Sequence, residues 1–462
     1  MGSPRFDSSQ ALADQSPLRL DLRRIFWEGV LFALMVGVGE TYLPAFALAI
    51  GVSEVWAGLV ATIPLALGSF LQVVSPAVVR RLGSRRLWVS TCAFLQATSF
   101  LPLILAAFMG HFPLFAIYLI ATLYWGTGMA VGPTWNTWVA RLVPRPLRIG
   151  FFSRRSAATQ VAALVGLVLG GSILAASAAW PDPLHGFALL FIVAAVCRLG
   201  SAWLLRRQSE TQPIVADRIV GLKDLLRRTW SGDDGRLLGY LAGMTAAVMI
   251  AGPFFTPFLL VRLEFGYAAY MLLLAASFLA KVIALPWLGH AARRWGAKRL
   301  LLLGGLGIFP LPALWLIDQS YPYLLLLQIL SGIAWASHEL AAFLLFFDTI
   351  KEEERTSLLT SFNVMNAMAT LAGSLLGGAL LAATGSDSPG YETVFLVSTG
   401  LRILALGFGF RVTDRPLLTA RMLIRTIAIR PALGGIGRPL HLRGPRSDRS
   451  DPGDKQNRGS RS

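Results

Sequence analysis

The sequence predicts an all-α membrane protein in which twelve transmembrane helices form two pseudo-symmetric six-helix bundles. Three observations predict this fold class: an apolar composition, twelve long apolar runs and an internal repeat. Of the 462 residues, 55% are hydrophobic and 15% are charged, and the mean hydropathy is +0.59. These values lie outside the usual range of soluble globular domains, so the lipid bilayer is the first partner that the sequence implies.

A helix that crosses a bilayer needs about 20 mostly apolar residues. Runs of this kind fall at 25–50, 55–79, 87–109, 113–140, 156–179, 185–206, 237–262, 266–290, 300–317, 322–347, 357–384 and 391–411. The first run is too long for the core of a signal peptide, so we expect it to remain as a signal anchor. The runs therefore predict twelve membrane helices.

The spacing of these runs also predicts the domain organisation. We expect an N-terminal tail at 1–24, a first bundle at 25–206, a linker at 207–236, a second bundle at 237–411 and a basic, largely disordered tail at 412–462. The linker contains "IVGLKDLLRRTW", which predicts a short helix lying on an anionic leaflet.

The positive charge of the chain follows the topology. The net charge is +17, which on a soluble face would suggest nucleic acid as a partner. However, 38 of the 42 Lys and Arg residues fall in the two tails and in alternate loops, and the remaining loops have none. Because basic residues stay on the cytoplasmic side, we expect a multi-pass protein of the inner membrane with both termini in the cytoplasm. We therefore expect these basic residues to interact with the anionic inner leaflet and not with nucleic acid.

Three matches in chain order relate the two halves. "RRLGSRRL" at 80–87 returns as "RRWGAKRL" at 293–300, and "GETYLP" at 39–44 corresponds to "GPFFTP" at 252–257, both at a spacing of 213. A third match has a spacing of 207 and pairs Gly166, Gly170 and Gly171 with Gly373, Gly377 and Gly378. The chain therefore reads as two six-helix units in parallel arrangement.

This six-plus-six arrangement, with its long central loop and its basic glycine turn after helices two and eight, resembles the major facilitator superfamily of secondary transporters over about residues 25–411. The family pattern in that turn is close to G-x-x-x-D-R-x-G-R-[RK]. The first copy matches it at Arg81, Gly83 and Arg85, and the second at Gly289, Arg294, Gly296 and Lys298. Arg80 and Arg293 replace the acid in the two copies. The resemblance implies that this acid helps to latch the halves on the cytoplasmic side, so its absence argues against that latch here.

Both motifs have two interpretations. The glycine of each octet allows a sharp turn. Each flanking basic residue near the lipid surface contributes about 1 kcal/mol of attraction to that surface. The octets therefore either make contacts between the halves that change during gating, or only anchor the topology. The six repeated glycines allow close helix approach. The resemblance implies that helices five and eleven line the interface between the halves, while ordinary packing explains these glycines equally well.

Ionisable groups deep in membrane helices are costly and point to function. The candidates are Glu40 in helix one, Lys281 in helix eight, and His338 and Glu339 in helix ten. The resemblance implies that helices one, four, seven and ten line a central cavity, which favours Glu40, His338 and Glu339 as groups that meet substrate or protons. The alternative is a structural hydrogen bond across helices. Since adjacent residues point about 100° apart, we expect only one of His338 and Glu339 to face the cavity.

Other residues complete the expected site. Tyr124, Trp125, Asn136 and Trp335, on helices four and ten, can stack against and hydrogen-bond a small solute. Prolines and glycines predict breaks in helix one at Pro44 and in helix seven at 252–257. Arg198 and Arg402 sit at matching places near the basic ends of their helices, which suggests snorkelling or a structural pair.

We therefore expect a proton-coupled secondary active transporter that acts as a monomer on a small-molecule solute. The sequence has no nucleophile elbow, phosphate loop or metal-ligand spacing, so we expect no enzyme, no cofactor and no metal. The alternative is a polytopic membrane enzyme or a non-transporting sensor. Within transport, efflux of an amphipathic compound and uptake of a sugar or an organic anion stay open.

Overall fold

Twelve helices long and apolar enough to cross a membrane make up the described part of the chain. The structure is a computed structural model that describes residues 8–210, 233–349, 355–385 and 387–412. The prediction of an all-α membrane fold with twelve spanning helices is confirmed. The predicted linker helix and nearly all of the predicted basic tail lie outside the described residues.

Each half contributes six helices, some of them broken by a turn. The first half has α1 (Ser8–Val38, continued as Leu43–Ala49), α2 (Glu54–Leu59 and Ile63–Leu82), α3 (Arg85–Thr98 and Phe100–Met109), α4 (Leu114–Leu142), α5 (Arg145–Ser177) and α6 (Leu184–Arg206). The second half has α7 (Asp233–Ala251, continued through short turns to Arg262), α8 (Tyr267–Trp295), α9 (Ala297–Ile308 and Leu311–Leu314), α10 (Tyr321–Thr349), α11 (Arg355–Thr384) and α12 (Ser388–Gly409).

The repeat is visible as matching breaks in α1 and α7. A 3-10 turn at Glu40–Tyr42 interrupts α1, and another at Gly252–Phe254 interrupts α7. Proline has no N–H to donate and crowds the preceding turn, and Pro44 and Pro253 lie at these two breaks. The predicted breaks are therefore confirmed.

The basic octets form the glycine turns expected from the sequence. Gly83 has a φ of +65° between α2 and α3, and Gly296 has a φ of +88° between α8 and α9. These left-handed conformations favour glycine because it has no Cβ. We call the end of the bundle that carries both turns the basic face, and the other end the opposite face.

The repeated glycines allow two kinds of close approach. A Cβ on Gly166 would collide with the backbone of α1 at Leu34, and a Cβ on Gly373 would collide with the backbone of α7 at Ala246. These two contacts lie within one half each. The third glycine of each set lies at the seam between the halves: Gly171 lies against Met271 of α8, and Gly378 lies near Leu59 of α2.

The two halves share one hydrophobic core toward the opposite face. It includes Tyr42, Phe46 and Phe187 from the first half and Phe254, Tyr270 and Tyr391 from the second. Toward the basic face the described residues form two separate cores, one around Trp135 and Trp138 and the other around Tyr240 and Leu340. A small fourth cluster, near the middle of the bundle, packs Ala33 and Ala163 of the first half against Phe278 of the second. Among the described residues the halves are therefore joined at the opposite face and in the middle of the bundle, and they have separate cores at the basic face.

Candidate functional site: a polar cavity between the halves

A cavity of about 240 Å³ lies where the two halves meet. Helices α1, α2 and α4 supply the wall from the first half, and α7 to α10 with α12 supply the wall from the second. Its polar and aromatic lining comprises Glu40, Thr41, Thr62, Trp125, Phe255, Thr256, Tyr270, Ser277, Phe278, Lys281, Trp315, Gln328, Ser331, Trp335, Glu339 and Arg402. The mixture of charged, hydroxyl and aromatic groups is typical of sites that bind small molecules.

Glu40 is the carboxylate on the first-half wall. It is the first residue of the turn that breaks α1, so the break itself aims its side chain into the cavity. The hydroxyl of Tyr124, on α4, donates a 2.7 Å hydrogen bond to Glu40 Oε2. Tyr124 is buried behind this wall, packed edge-to-face on Phe100. The two predicted residues are thus brought together, with Tyr124 positioning Glu40.

Lys281 and Glu339 form an ion pair on the second-half wall. Lys281 Nζ of α8 lies 2.5 Å from Glu339 Oε2 of α10, and their side chains are 7% and 10% exposed. A buried charge is costly unless it is matched, and removing one partner leaves the other uncompensated. Both residues were candidates from the sequence, but nothing in the sequence showed that they pair.

Arg402 is a second cation on this wall. It lies on α12, lines the cavity and is 2% exposed. Its guanidinium donates a hydrogen bond of 2.9 Å to the carbonyl oxygen of Ile308 and one of 3.4 Å to that of Val248. Of the two interpretations that the sequence offered for Arg402, snorkelling does not fit, because its head group is buried on backbone carbonyls.

Two predicted residues lie elsewhere in this structure. His338 points to the side of α10 away from the cavity, where its Nε2 lies 3.1 Å from the hydroxyl of Tyr240 in the core of the second half. Only Glu339 of this adjacent pair lines the cavity, as the angle between neighbouring helical residues requires. Asn136 lies six residues before the end of α4, at the basic face, and is also outside the cavity lining.

Aromatic rings make up much of the remaining wall. Trp125 and Trp335, both predicted, line the cavity. Trp315 and Tyr270 line it as well, and the ring of Phe255 lies 4.7 Å from that of Trp315. The sequence analysis missed Trp315, Tyr270 and Phe255, because α9, α8 and the broken part of α7 were not expected to supply stacking groups.

The predicted residues of the basic turns are separate from the cavity. Gly83 and Gly296 form the turns, Gly289 and Arg85 are buried, Arg81 and Arg294 are exposed, and Lys298 is half-buried. The carboxylate of Glu210, which follows α6, lies at the start of α3. Glu210 Oε1 accepts the backbone N–H of Arg85 at 2.5 Å, and Oε2 accepts the hydroxyl of Ser84 at 2.5 Å. A carboxylate from elsewhere in the chain therefore lies beside the first octet, at Ser84 and Arg85 and not at position 80, where the family pattern has its acid.

A second buried charge pair lies within the first half, outside the cavity lining. Arg155 of α5 donates to Glu28 of α1 at 2.8 Å, and Glu28 is 3% exposed. Nearby, Arg198 of α6 is 1% exposed and donates to Ser201 at 2.8 Å. Arg198 is therefore held inside the half and does not snorkel. Among the described residues there is no cluster of three or more His, Cys, Asp or Glu side chains that could hold a metal.

Two six-helix halves around a polar cavity are the architecture of a membrane transporter fold. The chain matches the sequence model of the Major Facilitator Superfamily over residues 25–271 and 237–421. It belongs to that family.

The chain is also similar to an uncharacterised transporter of the same type from Mycobacterium tuberculosis. The two are 24% identical over 181 residues, which is 39% of this chain. The matched stretch spans 30% of the length of that curated relative.

Solved structures share the fold at low sequence identity. The nucleoside transporter NupG is 15% identical with a TM-score of 0.65, over 86% of this chain and 100% of that one. A bacterial homologue of the iron transporter ferroportin in its inward-facing state is 15% identical with a TM-score of 0.67, over 86% and 99% of the two chains. The outward-facing state of such a homologue gives a TM-score of 0.58 at 16% identity, over 85% and 98%.

Proposed function

We propose that this protein is a secondary active transporter that moves a small solute across the cell membrane by alternating access, coupled to protons. The observation that carries this proposal is the polar cavity between two halves whose large shared core lies toward one face. A transporter needs such a site, whereas a non-transporting sensor would be expected to have a dry centre. The cavity therefore favours transport over the alternative of a sensor.

The packing supports one state of an alternating-access cycle. The shared core closes the opposite face, and the separate cores leave the halves independent at the basic face. If the basic loops lie in the cytoplasm, the face with separate cores is the cytoplasmic one. The arrangement then corresponds to an inward-facing state in an inner membrane. The higher TM-score with the inward-facing ferroportin homologue than with the outward-facing one agrees with this assignment.

The proton is assigned to the cavity carboxylates, Glu40 and Glu339. A carboxylate inside a membrane protein is costly when charged and is characteristic of proton relays. Glu40 also lies on the break in α1 and accepts a hydrogen bond from Tyr124. Protonation of Glu40 removes a charge from this hinge, which links proton uptake to the geometry of α1.

The test is uptake by proteoliposomes across a panel of solutes with an imposed proton gradient. Wild type is expected to accumulate at least one solute, and Glu40→Gln is expected to lose gradient-driven accumulation while it still exchanges solute without a gradient. Glu392→Gln, which changes an exposed carboxylate on α12, is the matched control. Equal gradient-driven rates in Glu40→Gln and wild type would remove Glu40 from the coupling role.

A further inference from the structure

We propose that the Lys281–Glu339 pair is the binding subsite for an anionic group, so that the solute is a small organic carboxylate. This inference rests on the proposed transport function and names its substrate class. The solute's carboxylate takes the place of Glu339 beside Lys281. Glu339 meanwhile takes up one proton from the water on the side to which the cavity opens, and becomes neutral.

The charges of the cavity wall favour an anion at this place. The second-half wall carries two cations, Lys281 and Arg402, and one carboxylate, Glu339. The remaining charged group, Glu40, lies on the first-half wall. One more positive than negative charge on the second-half wall attracts the anionic end of a solute, and the two halves present opposite signs to the space between them.

Burial favours displacement of the carboxylate over displacement of the lysine. The paired side chains are 7% and 10% exposed, so whichever partner is displaced must not remain as an unpaired charge. Glu339 becomes neutral by binding one proton, and Lys281 keeps its charge to hold the anion. An incoming cation would instead leave the ammonium of Lys281 unpaired on the same wall as Arg402. Entry of one anion together with one proton leaves the net charge of the wall unchanged.

The neighbouring groups indicate the rest of the solute. Trp335 and Ser331 lie one and two turns before Glu339 on the same face of α10, because residues four apart are neighbours on a helix, and both line the cavity. Trp315 and Phe255 provide further ring surface. An aromatic or flat apolar body attached to a carboxylate fits a charged pair next to a wall of rings.

The proton uptake makes binding dependent on pH. The charged groups that share the cavity with Glu339 are Lys281 on α8, Arg402 on α12 and Glu40 on α1, and the titratable hydroxyl of Tyr270 lies on α8. His338, on α10 itself, points away to Tyr240. Since Glu339 gains a proton as the anion binds, the affinity rises as the pH falls.

Equilibrium binding to the purified full-length protein in detergent tests this assignment. Benzoate, benzamide and benzylamine share a ring and differ in charge, and tryptophan fluorescence reports their binding at pH 6 to 8, where benzoate is ionised. We expect benzoate to bind at least about tenfold more tightly than the other two, as expected for a charge-assisted contact. Its affinity should rise by up to about tenfold per pH unit as the pH falls, which is the limit for one proton.

Variants of the two partners are expected to change the affinity in opposite directions. Glu339→Gln removes the competing carboxylate, so benzoate should bind about tenfold more tightly than to wild type at pH 8, with a smaller dependence on pH than wild type. Lys281→Met should weaken binding by about tenfold or more. Glu28→Gln disrupts a buried ion pair of the same kind outside the cavity lining and should leave both affinity and pH dependence unchanged.

Three results would overturn the assignment: tighter binding of benzylamine than benzoate, a pH-independent wild type, or weakening by both Glu339→Gln and Lys281→Met. If Lys281→Met fails to fold, the pH dependence of benzoate binding to wild type and to Glu339→Gln tests the assignment. Binding is measured without transport, so the two proposals can fail separately. If proteoliposomes accumulate a neutral or cationic solute while benzoate does not bind, only the proposed anion subsite is refuted. Benzoate binding with the expected pH dependence, but without flux of any solute, would instead contradict the transport function.

Discussion

Arg402 of α12 donates a 2.9 Å hydrogen bond to the carbonyl oxygen of Ile308 in α9. In a regular helix this carbonyl would accept the N–H of the residue four positions later, and that residue is Pro312, which has no N–H. The proline thus frees a backbone acceptor at the point where α9 breaks, and a side chain from another helix satisfies it. The same guanidinium places a positive charge on the cavity wall.

Replacing Arg402 with methionine should destabilise the second half. The Ile308 carbonyl would be left buried without this donor, which costs about 1–3 kcal/mol. The change is measured as a lower midpoint of unfolding in detergent. Arg206→Met, at the exposed end of α6, removes the same kind of charge and should have little effect. Equal loss in both variants would show that the bond to Ile308 contributes nothing specific.

A methyl group on Gly377 should push α11 away from α7. A Cβ at this position would overlap the backbone carbonyl of Ile250, which cannot move without displacing the helix, whereas a Cβ on Gly407 of α12 would meet nothing within 4 Å. We expect Gly377→Ala to lose about 1–3 kcal/mol of stability through overpacking. Gly407→Ala should gain up to about 1 kcal/mol, because alanine is the better helix former.

Unfolding in detergent distinguishes the two glycine variants directly. Since both add the same methyl group to a helix in the same half, a difference in their midpoints reports packing and excludes a general effect of the substitution. Stabilisation by both changes would mean that α11 can shift without cost, and the repeated glycines would then not be needed for close approach.

Local features of this chain were predictable because their causes are local. The breaks at Pro44 and Pro253 follow from proline's missing N–H, and the turns at Gly83 and Gly296 follow from glycine's freedom at positive φ. The twelve helices follow from the length of each apolar run. None of these requires knowledge of which helices are neighbours.

The site was less predictable, because it depends on helix rotation and on contacts between distant segments. The sequence left open which of His338 and Glu339 faces the cavity, and only the packing of α10 on α8 and α9 turns His338 toward Tyr240. The role of Arg402 depends on a carbonyl freed by a proline in another helix. The position of Glu210 at the start of α3 depends on where the chain runs after α6.

Removing the carboxylate of Glu210 should weaken the start of α3. The first N–H groups of a helix lack partners within the helix, and Glu210 accepts those of Arg85 and Arg86 at 2.5 and 3.3 Å. We expect Glu210→Ala to lower the stability by about 1–2 kcal/mol, the range of a lost N-terminal cap. Glu210→Gln keeps an acceptor oxygen and should lose less.

Unfolding midpoints of the two Glu210 variants give the measurement, with Glu392→Gln as a control for loss of an exposed carboxylate. A further readout is hydrogen exchange at the amides of 85–87, which should become faster in Glu210→Ala. Unchanged exchange there would contradict a capping role for Glu210, whatever the change in overall stability.

The phenol of Tyr391 is expected to hold the opposite face closed. Its hydroxyl donates to Glu54 Oε2, which joins α12 of the second half to α2 of the first. Beside it, Arg262 donates to Asp387 at 2.7 Å within the second half. Tyr391→Phe removes the bond between the halves and keeps the ring in the shared core, so it should raise the population of conformations that are open at this face.

Spin labels at Ser53→Cys and Gln319→Cys report this opening, because both positions are exposed in loops of the opposite face, one in each half. The native Cys92 and Cys197 are buried and do not compete for the label. In Tyr391→Phe the distance distribution should gain a longer component. Tyr323→Phe removes a hydroxyl that donates to Leu314 within the second half and should leave the distribution as in wild type. If Tyr391→Phe also leaves it unchanged, the apolar contacts of the shared core close this face without the phenol.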